Sequence, residues 1–320
     1  MKKILLGNSE LKVSEMALGT MYFGWKTPDE EGLRQLSEYS EAGGNFIDTA
    51  NVYSRRLAPD KDFYGKDFGE YREGTSEKLI GRWLKENKCR HDFVIATKVG
   101  FRYPGIELGT SPRQIREECE KSLKRLGTDY IDLYYLHMDD ENTTLYDSLL
   151  TLTELKKEGK IRYIGLSNFK TERVIEAVEI AEKEGFPKPI CVQQRYTYLK
   201  PRLDADFGRQ ATADDALFEY AKESGLSLLA YSPLLSGYYV DRTKKLPEQY
   251  LTDDIDERIS KLHRVANGLG ISPTQLVYAW MLNLSPKVLP IVATSRSEQF
   301  REALSAFEIK LSKEIMNELN

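Results

Sequence analysis

The chain has 320 residues, 41% of them hydrophobic and 30% charged, with a formal net charge of −4. That length suits one large barrel or two smaller domains, and the composition supplies a sizeable core and excludes disordered and fibrous classes. With a pI near 5.7 the chain exerts no long-range pull on nucleic acid or anionic membrane, so any phosphate must sit in a small local pocket and neither partner is expected.

The opening Lys3-Ile4-Leu5-Leu6, Gly7-Asn8 and Leu11-Lys12-Val13 read as a β-hairpin that plugs one end of a barrel. Its apolar run is too short for a signal peptide, and no later stretch approaches the ~20 residues of a membrane span. Beyond it, short β-branched or aromatic runs alternate with segments of helical period. Candidate strands are Met16-Leu18, Asn45-Asp48, Phe93-Lys98, Tyr130-Leu136, Ile161-Leu166, Pro189-Gln193, Leu226-Tyr231 and Val288-Val292. The helices between them carry apolar stripes such as Leu79, Ile80, Trp83 and Leu84, and several end near Gly43, Gly127, Gly159, Gly185 or Gly225. Ser111-Pro112-Arg113-Gln114 and Ser272-Pro273-Thr274-Gln275 each set a serine at the N-cap, proline in the first turn and glutamine where a capping box needs it. No linker, low-complexity tract or repeat beyond the βα unit interrupts the pattern. The expectation is a (β/α)8 TIM barrel over residues 1–320, a single domain with an N-terminal hairpin and an extra C-terminal helix. A doubly wound sheet fits less well, since no GxGxxG follows the first strand. Cys89, Cys119 and Cys191 have no CxxC spacing, so a disulfide framework or thiolate zinc site is not expected and a reducing, cytoplasmic setting fits.

In an α/β barrel the carboxyl ends of the strands face the active site. Asp48 ends the second strand, Lys98 the third and His137 follows the fourth, while Tyr53 lies just beyond Asp48. These types together can serve the reduction of a carbonyl by hydride, which leaves an alkoxide in need of a proton. Tyrosine is a weak acid, with a pKa of about 10 in water. A neighbouring ammonium stabilises its phenolate, an aspartate offsets the cost of holding that ammonium in a dry pocket, and an imidazole orients the substrate oxygen. No metal is required. Singly, His137 reads as a structural histidine and Asp48/Lys98 as a structural ion pair; the conjunction at consecutive strand ends points to chemistry.

At these residues the sequence resembles the aldo-keto reductase superfamily. Asp48 through Tyr53 is similar to its aspartate–tyrosine signature, and Gly159-Lys160-Ile161-Arg162-Tyr163-Ile164-Gly165-Leu166-Ser167-Asn168-Phe169 to another characteristic stretch. The resemblance implies Asp48, Tyr53, Lys98 and His137 as a catalytic tetrad with Tyr53 as acid, and NADP(H) lying extended across the barrel mouth. It further implies that Ser167, Asn168 and Gln193 bind the carboxamide, that Tyr231 stacks on the nicotinamide, and that Ser232, Pro233, Leu234 and Gly237 approach the pyrophosphate. Gly19, Thr20, Met21 and Asp48 complete the near wall. Ala293, Thr294, Ser295, Arg296, Gln299 and Glu302 match the adenosine-phosphate segment, with Arg296 and Ser295 suited to a 2′-phosphate. That segment departs from the family pattern at Ala293, Ser297 and Ala303.

The stretch from Ser54 to Gly74 is longer than the family's usual connection and interleaves charges with aromatics such as Phe63, Tyr64, Phe68 and Tyr71. It is expected to lie on the active-site face. Together with Asp139 and Asp140, directly after His137, it suggests a polar substrate: an aldehyde or ketone that is sugar-derived or otherwise hydroxylated. The alternative function is a cofactor-binding redox sensor or regulatory subunit with slow turnover. A barrel glycosidase would need paired carboxylic acids at strand ends, where this chain has His137 and Tyr231.

Overall fold

The computed structural model describes residues 1–53 and 73–320. The Ser54 to Gly74 stretch expected on the active-site face falls almost wholly outside the described residues. A two-stranded antiparallel hairpin, β1 (Lys3–Leu5) and β2 (Lys12–Ser14), precedes eight parallel strands that close on themselves. These are β3 (Ala17–Gly19), β4 (Phe46–Asp48), β5 (Val94–Val99), β6 (Ile131–Leu136), β7 (Ile161–Ser167), β8 (Pro189–Arg195), β9 (Ser227–Tyr231) and β10 (Val288–Val292). Neighbours in sequence are neighbours in the barrel, and β10 closes it against β3. All eight expected strands are present, most differing by a residue at one or both ends. The displacement matters at β8, which runs on to Arg195, in register with Tyr231 of β9 and bridged to residues 211–213 (Arg195 N to Ala211 O 2.9 Å, Ala213 N to Arg195 O 3.1 Å).

Helices α1 (Asp29–Glu41), α2 (Thr75–Asn87), α3 (Pro112–Leu126), α4 (Leu145–Lys157), α5 (Thr171–Glu184) and α6 (Asp215–Ser224) fill the successive crossovers. Two helices, α7 (Ile255–Leu269) and α8 (Pro273–Asn283), occupy the connection from β9 to β10, where the sequence marked only the start of α8. After α9 (Ser297–Ser305) comes the expected extra helix, α10 (Lys313–Leu319), which packs on α7 and α8. Ser272 forms the full capping box at α8. At α3 only half of it forms: Ser111 Oγ accepts from Gln114 N, but the Gln114 amide turns to the Glu107 carbonyl at 2.8 Å instead of the N-cap backbone. Gln114 Oε1, which a capping box would offer to the N-cap N–H, accepts the Ser111 hydroxyl at 2.9 Å. Among the described residues no helix is long and apolar enough to cross a membrane.

Side chains alternate across each strand because successive Cβ atoms point to opposite faces. Phe46, Val94, Ala96, Leu133, Tyr135, Cys191, Leu229 and Leu289 fill the barrel interior. Ile47, Ile95, Tyr134, Val192, Ala230 and Val292 face the helices. Leu6, Leu11 and Val13 of the hairpin join the interior set, so the hairpin does plug the amino-terminal end. Gly7, at φ +57°, makes this possible: a Cβ there would lie 2.0 Å from the Ile190 carbonyl oxygen.

Tyr135 fits inside the barrel because its neighbour across β7 is Gly165, where a Cβ would come within 2.4 Å of the tyrosine ring. Gly165→Ala therefore overpacks a rigid interior, and the expected destabilisation is about 1–3 kcal/mol. A urea midpoint equal to that of the unsubstituted chain would refute this packing argument.

Candidate active site

Alternation along the strands delivers the polar residues to the barrel mouth. Counting by twos from interior residues, Phe46 leads to Asp48, Ala96 to Lys98, Tyr135 to His137, Cys191 to Gln193, and Leu229 to Tyr231. All five have the parity that points inward, one layer above the apolar interior.

Lys98 is fully buried, and its ammonium is aimed at three oxygens. Nζ donates to Asp48 Oδ1 at 2.5 Å and to Thr49 O at 2.7 Å, and stands 3.5 Å from the Tyr53 hydroxyl. Asp48 Oδ2 accepts from Gln193 Nε2 at 2.8 Å. Burial pushes the Asp48 carboxyl up and the Lys98 ammonium down, while each partner's charge pulls the other back. The pair satisfies itself, and Tyr53 beside it lines the cleft.

Tyr53 lies on the loop after β4, and that loop is tied down residue by residue. Thr49 N donates to Ala96 O, Asn51 N to Lys98 O and Ser76 N to Tyr53 O. Asn51 Nδ2 donates to the buried Glu118 carboxylate at 2.7 Å, which also accepts from the Tyr103 hydroxyl at 2.6 Å and from Lys121 at 2.8 Å. Ser76 Oγ reaches Thr20 Oγ1 at 2.7 Å. A loop held at this many buried points presents its tyrosine in one place.

The His137 ring meets Tyr53 edge-on with centroids 6.0 Å apart and Phe101 at 4.6 Å. Its Nδ1 is buried and has no hydrogen-bond partner among the described residues. Asn168, at φ +62°, donates from Nδ2 to His137 O at 2.8 Å and accepts at Oδ1 from the Tyr231 hydroxyl at 2.6 Å. Asn168 thus joins the His137 wall to the Tyr231 wall.

The expected cofactor residues divide when placed in space. Gly19, Thr20, Met21, Asp48, Asn168, Gln193, Tyr231, Ser232, Pro233, Leu234, Gly237, Ala293, Thr294, Ser295, Arg296, Gln299 and Glu302 line one cleft of about 660 Å³, together with Tyr53 and His137. Ser167 does not. It is fully buried below Asn168, whose Nδ2 stands 3.2 Å from its hydroxyl. Asp139 and Asp140 are committed elsewhere. Asp139 takes a two-pronged contact from Arg173 at 2.7 and 2.9 Å. Asp140 accepts from Thr110 N, Asn142 N and Thr143 Oγ1, which hold its carboxyl below the usual range against the effect of burial. Neither aspartate lines the cleft, so the expectation that they meet a substrate is corrected.

Sequence reasoning missed Lys26, Arg195, Gln210 and Lys244, which also line it. Lys244 sits in a polar loop that resembles any solvated stretch, and Lys26 follows the aromatic run Tyr22-Phe23-Gly24-Trp25, which has no strand or helix period. Arg195 had a signal, since it continues the Cys191, Gln193 parity, but the strand was read as ending too early.

The Aldo/keto reductase family model matches residues 15–320. An uncharacterized oxidoreductase, YrpG, of Bacillus subtilis (strain 168) is 31% identical over 335 residues, covering all of this chain and 95% of that protein. Norsolorinic acid reductase stcV of Emericella nidulans is 29% identical, covering 99% of this chain and 80% of its own. The crystal structure of a thermostable aldo-keto reductase, Tm1743, with the inhibitor epalrestat superimposes with a TM-score of 0.74 at 31% identity, covering all of this chain and 98% of that one.

Burial, and secondarily the Lys98 charge, hold the His137 imidazole well below its ordinary value of 6.5. The ring is neutral in the fold at neutral pH. The unfolded chain binds the proton first, so this contribution to stability is present above 6.5 and declines as pH falls below it. In long-range 1H–15N spectra, assigned with His137→Asn, the His137 nitrogens should keep neutral-ring shifts at pH 6. An imidazolium pattern there would overturn this reading of the site.

Proposed function

We propose, from the premise that this chain belongs to the aldo/keto reductase family, that it reduces an aldehyde or ketone to the alcohol with NADPH, Tyr53 serving as proton donor. The observation that carries the reading is the Lys98 ammonium held between Asp48 and the Tyr53 hydroxyl at the floor of the cleft.

The cleft fits an extended dinucleotide. Its floor at one end offers the face of Tyr231, and Gln193, whose Nε2 is spent on Asp48, keeps its oxygen for an amide donor. The turn after β9 places Ser232, Leu235, Ser236 and Gly237 at positive φ, a backbone form whose N–H groups converge on anions. Lys244 Nζ lies 3.1 Å from the Ser236 carbonyl beside that turn. At the other end the buried Thr294 Oγ1 has no hydrogen-bond partner among the described residues. Arg296, at the N-cap of α9, is exposed and makes no ion pair among the described residues. When bound, the reduced nicotinamide supplies the hydride.

The residues of the chain do the rest. A carbonyl oxygen seated between Tyr53 and His137 takes a hydrogen bond from the neutral imidazole and the proton from Tyr53. Lys98 stabilises the phenolate left behind, and Asp48 keeps that ammonium charged and pointed in a site that excludes bulk water. The apolar Phe101 edge fixes the His137 ring plane.

Tyr53→Phe should leave NADPH affinity nearly intact and lower turnover about 10²-fold or more, the scale of a lost positioned acid. Steady-state kinetics with a panel of aldehydes, beside fluorescence titration of NADPH, reads both quantities. Full turnover in the variant would sink the assignment, and no turnover in the unsubstituted chain would favour a sensor. Arg296→Ala should weaken NADPH by about 1.5–3 kcal/mol and NADH hardly at all, because only the former carries the 2′-phosphate. Equal weakening of the two would remove Arg296 from that role.

A further inference from the structure

The last residue of β8 is a guanidinium on the inward parity of the strand, two positions beyond Gln193. Arg195 lines the cleft with Tyr53 and His137. It is half-buried, and its contacts hold it in place without neutralising it. Nη2 and Nε donate to Gln210 Oε1 at 2.7 and 3.2 Å, and the Tyr250 hydroxyl faces the group. The Phe207 and Tyr231 rings flank it at 5.2 and 5.6 Å from the guanidinium carbon. Arg90, Arg125 and Arg173, comparably or more deeply set, each pair with a carboxylate. Arg195 makes no ion pair among the described residues.

A guanidinium withdrawn from water and fixed by neutral partners retains an uncompensated charge, and it offers a planar fork to a carboxylate. Its position relative to the candidate chemistry is given by a chain of contacts. Arg195 lies over Tyr231, the Tyr231 hydroxyl bonds Asn168, and Asn168 bonds the His137 carbonyl. That is the β6 to β9 side of the mouth. The turn bearing Ser236 and the Arg296 helix start, where phosphates fit, belong to the segments after β9 and β10.

We infer that Arg195 anchors a carboxylate on the substrate, so that the carbonyl compounds taken by this chain are oxo acids. The inference rests on the reductase reading above. The step balances as hydride from the reduced nicotinamide to the carbonyl carbon and proton from Tyr53 to its oxygen, giving a hydroxy acid and the oxidised nucleotide. The carboxylate is unchanged throughout.

The test compares 4-oxobutanoate and 6-oxohexanoate with butanal and hexanal in the full chain, Arg195→Leu and Arg195→Lys. The unsubstituted chain should prefer the oxo acid of one pair in kcat/KM. Arg195→Leu should reduce that preference about 10- to 100-fold, mainly through KM, and Arg195→Lys should restore part of it. A preference for the neutral aldehydes in both pairs, or a ratio unmoved by Arg195→Leu, overturns the proposal. So does an equal loss of NADPH affinity in the variant, which would make Arg195 a cofactor anchor. Calorimetric titration with 6-hydroxyhexanoate in the presence of NADP+ separates the two readings. Binding that disappears in Arg195→Leu supports the anchor even where turnover is absent, whereas no binding to either protein counts against the anchor alone.

Discussion

A lysine ammonium and a carboxylate, 2.5 Å apart and both out of contact with solvent, sit where β4 and β5 reach the barrel mouth. Removing two charges from water costs several kcal/mol per ion, and their attraction offsets this only when geometry is good and the remaining donors and acceptors are met. Here they are met: Lys98 also bonds the Thr49 carbonyl and Asp48 also accepts from Gln193. The rest of the site is arranged around that requirement. The parallel register that sets Asp48 beside Ala96 brings the two charges level, and the loop that supplies the Thr49 carbonyl goes on to Tyr53. A pair that must be satisfied on all sides is also a pair that fixes what surrounds it.

The parts legible in the sequence are those set by local chemistry or by period. Strand alternation, glycine stops and the Ser272 box depend on a few adjacent residues, and all eight barrel strands follow from them. The four residues at the strand ends were visible for the same reason, and the structure brings them together. What stayed hidden depends on partners distant in sequence. The aspartates after His137 looked like ligands for hydroxyl groups until Arg173, on α5, was placed beside Asp139. Ser167 keeps its place in the motif but is fully buried, with the side chain of Asn168, a residue at positive φ, against its hydroxyl. Helix α7 has no sharp cap, its Asp254 side chain accepting from Thr252 Oγ1 rather than from a backbone N–H of the first turn, so its start carried no mark. The extension of β8 to Arg195 rests on its pairing with Tyr231 of β9 and with residues 211–213, none of which lies in a window around β8.

Asn168 shows how a single residue can couple two walls of a site. Only an asparagine side chain has both an amide donor for the His137 carbonyl and an acceptor for the Tyr231 hydroxyl at that length, and it tolerates left-handed backbone better than most. Its backbone N–H is itself bound to the Gln194 side chain at 2.8 Å, and Gln194 in turn bonds the Phe169 carbonyl. The orientation of Tyr231, turned inward by its own strand, is thereby tied to β7 and β8 as well.

The hairpin that fills the lower end of the barrel has a consequence for proton traffic. Below Lys98 lie Ala96, Leu133, Phe46 and the hairpin's own leucines and valine. The polar pair in that interior is Tyr135 and Cys191, 3.2 Å apart, and burial holds the phenol well above its ordinary value and the thiol up at about 12, so neither releases a proton near neutrality. Among the described residues the barrel interior below the Lys98–Asp48 pair thus offers Tyr53 no proton carrier near neutrality. In the proposed reaction Tyr53 draws its proton from the mouth side, so a ligand that fills the mouth also interrupts the supply until the cleft opens.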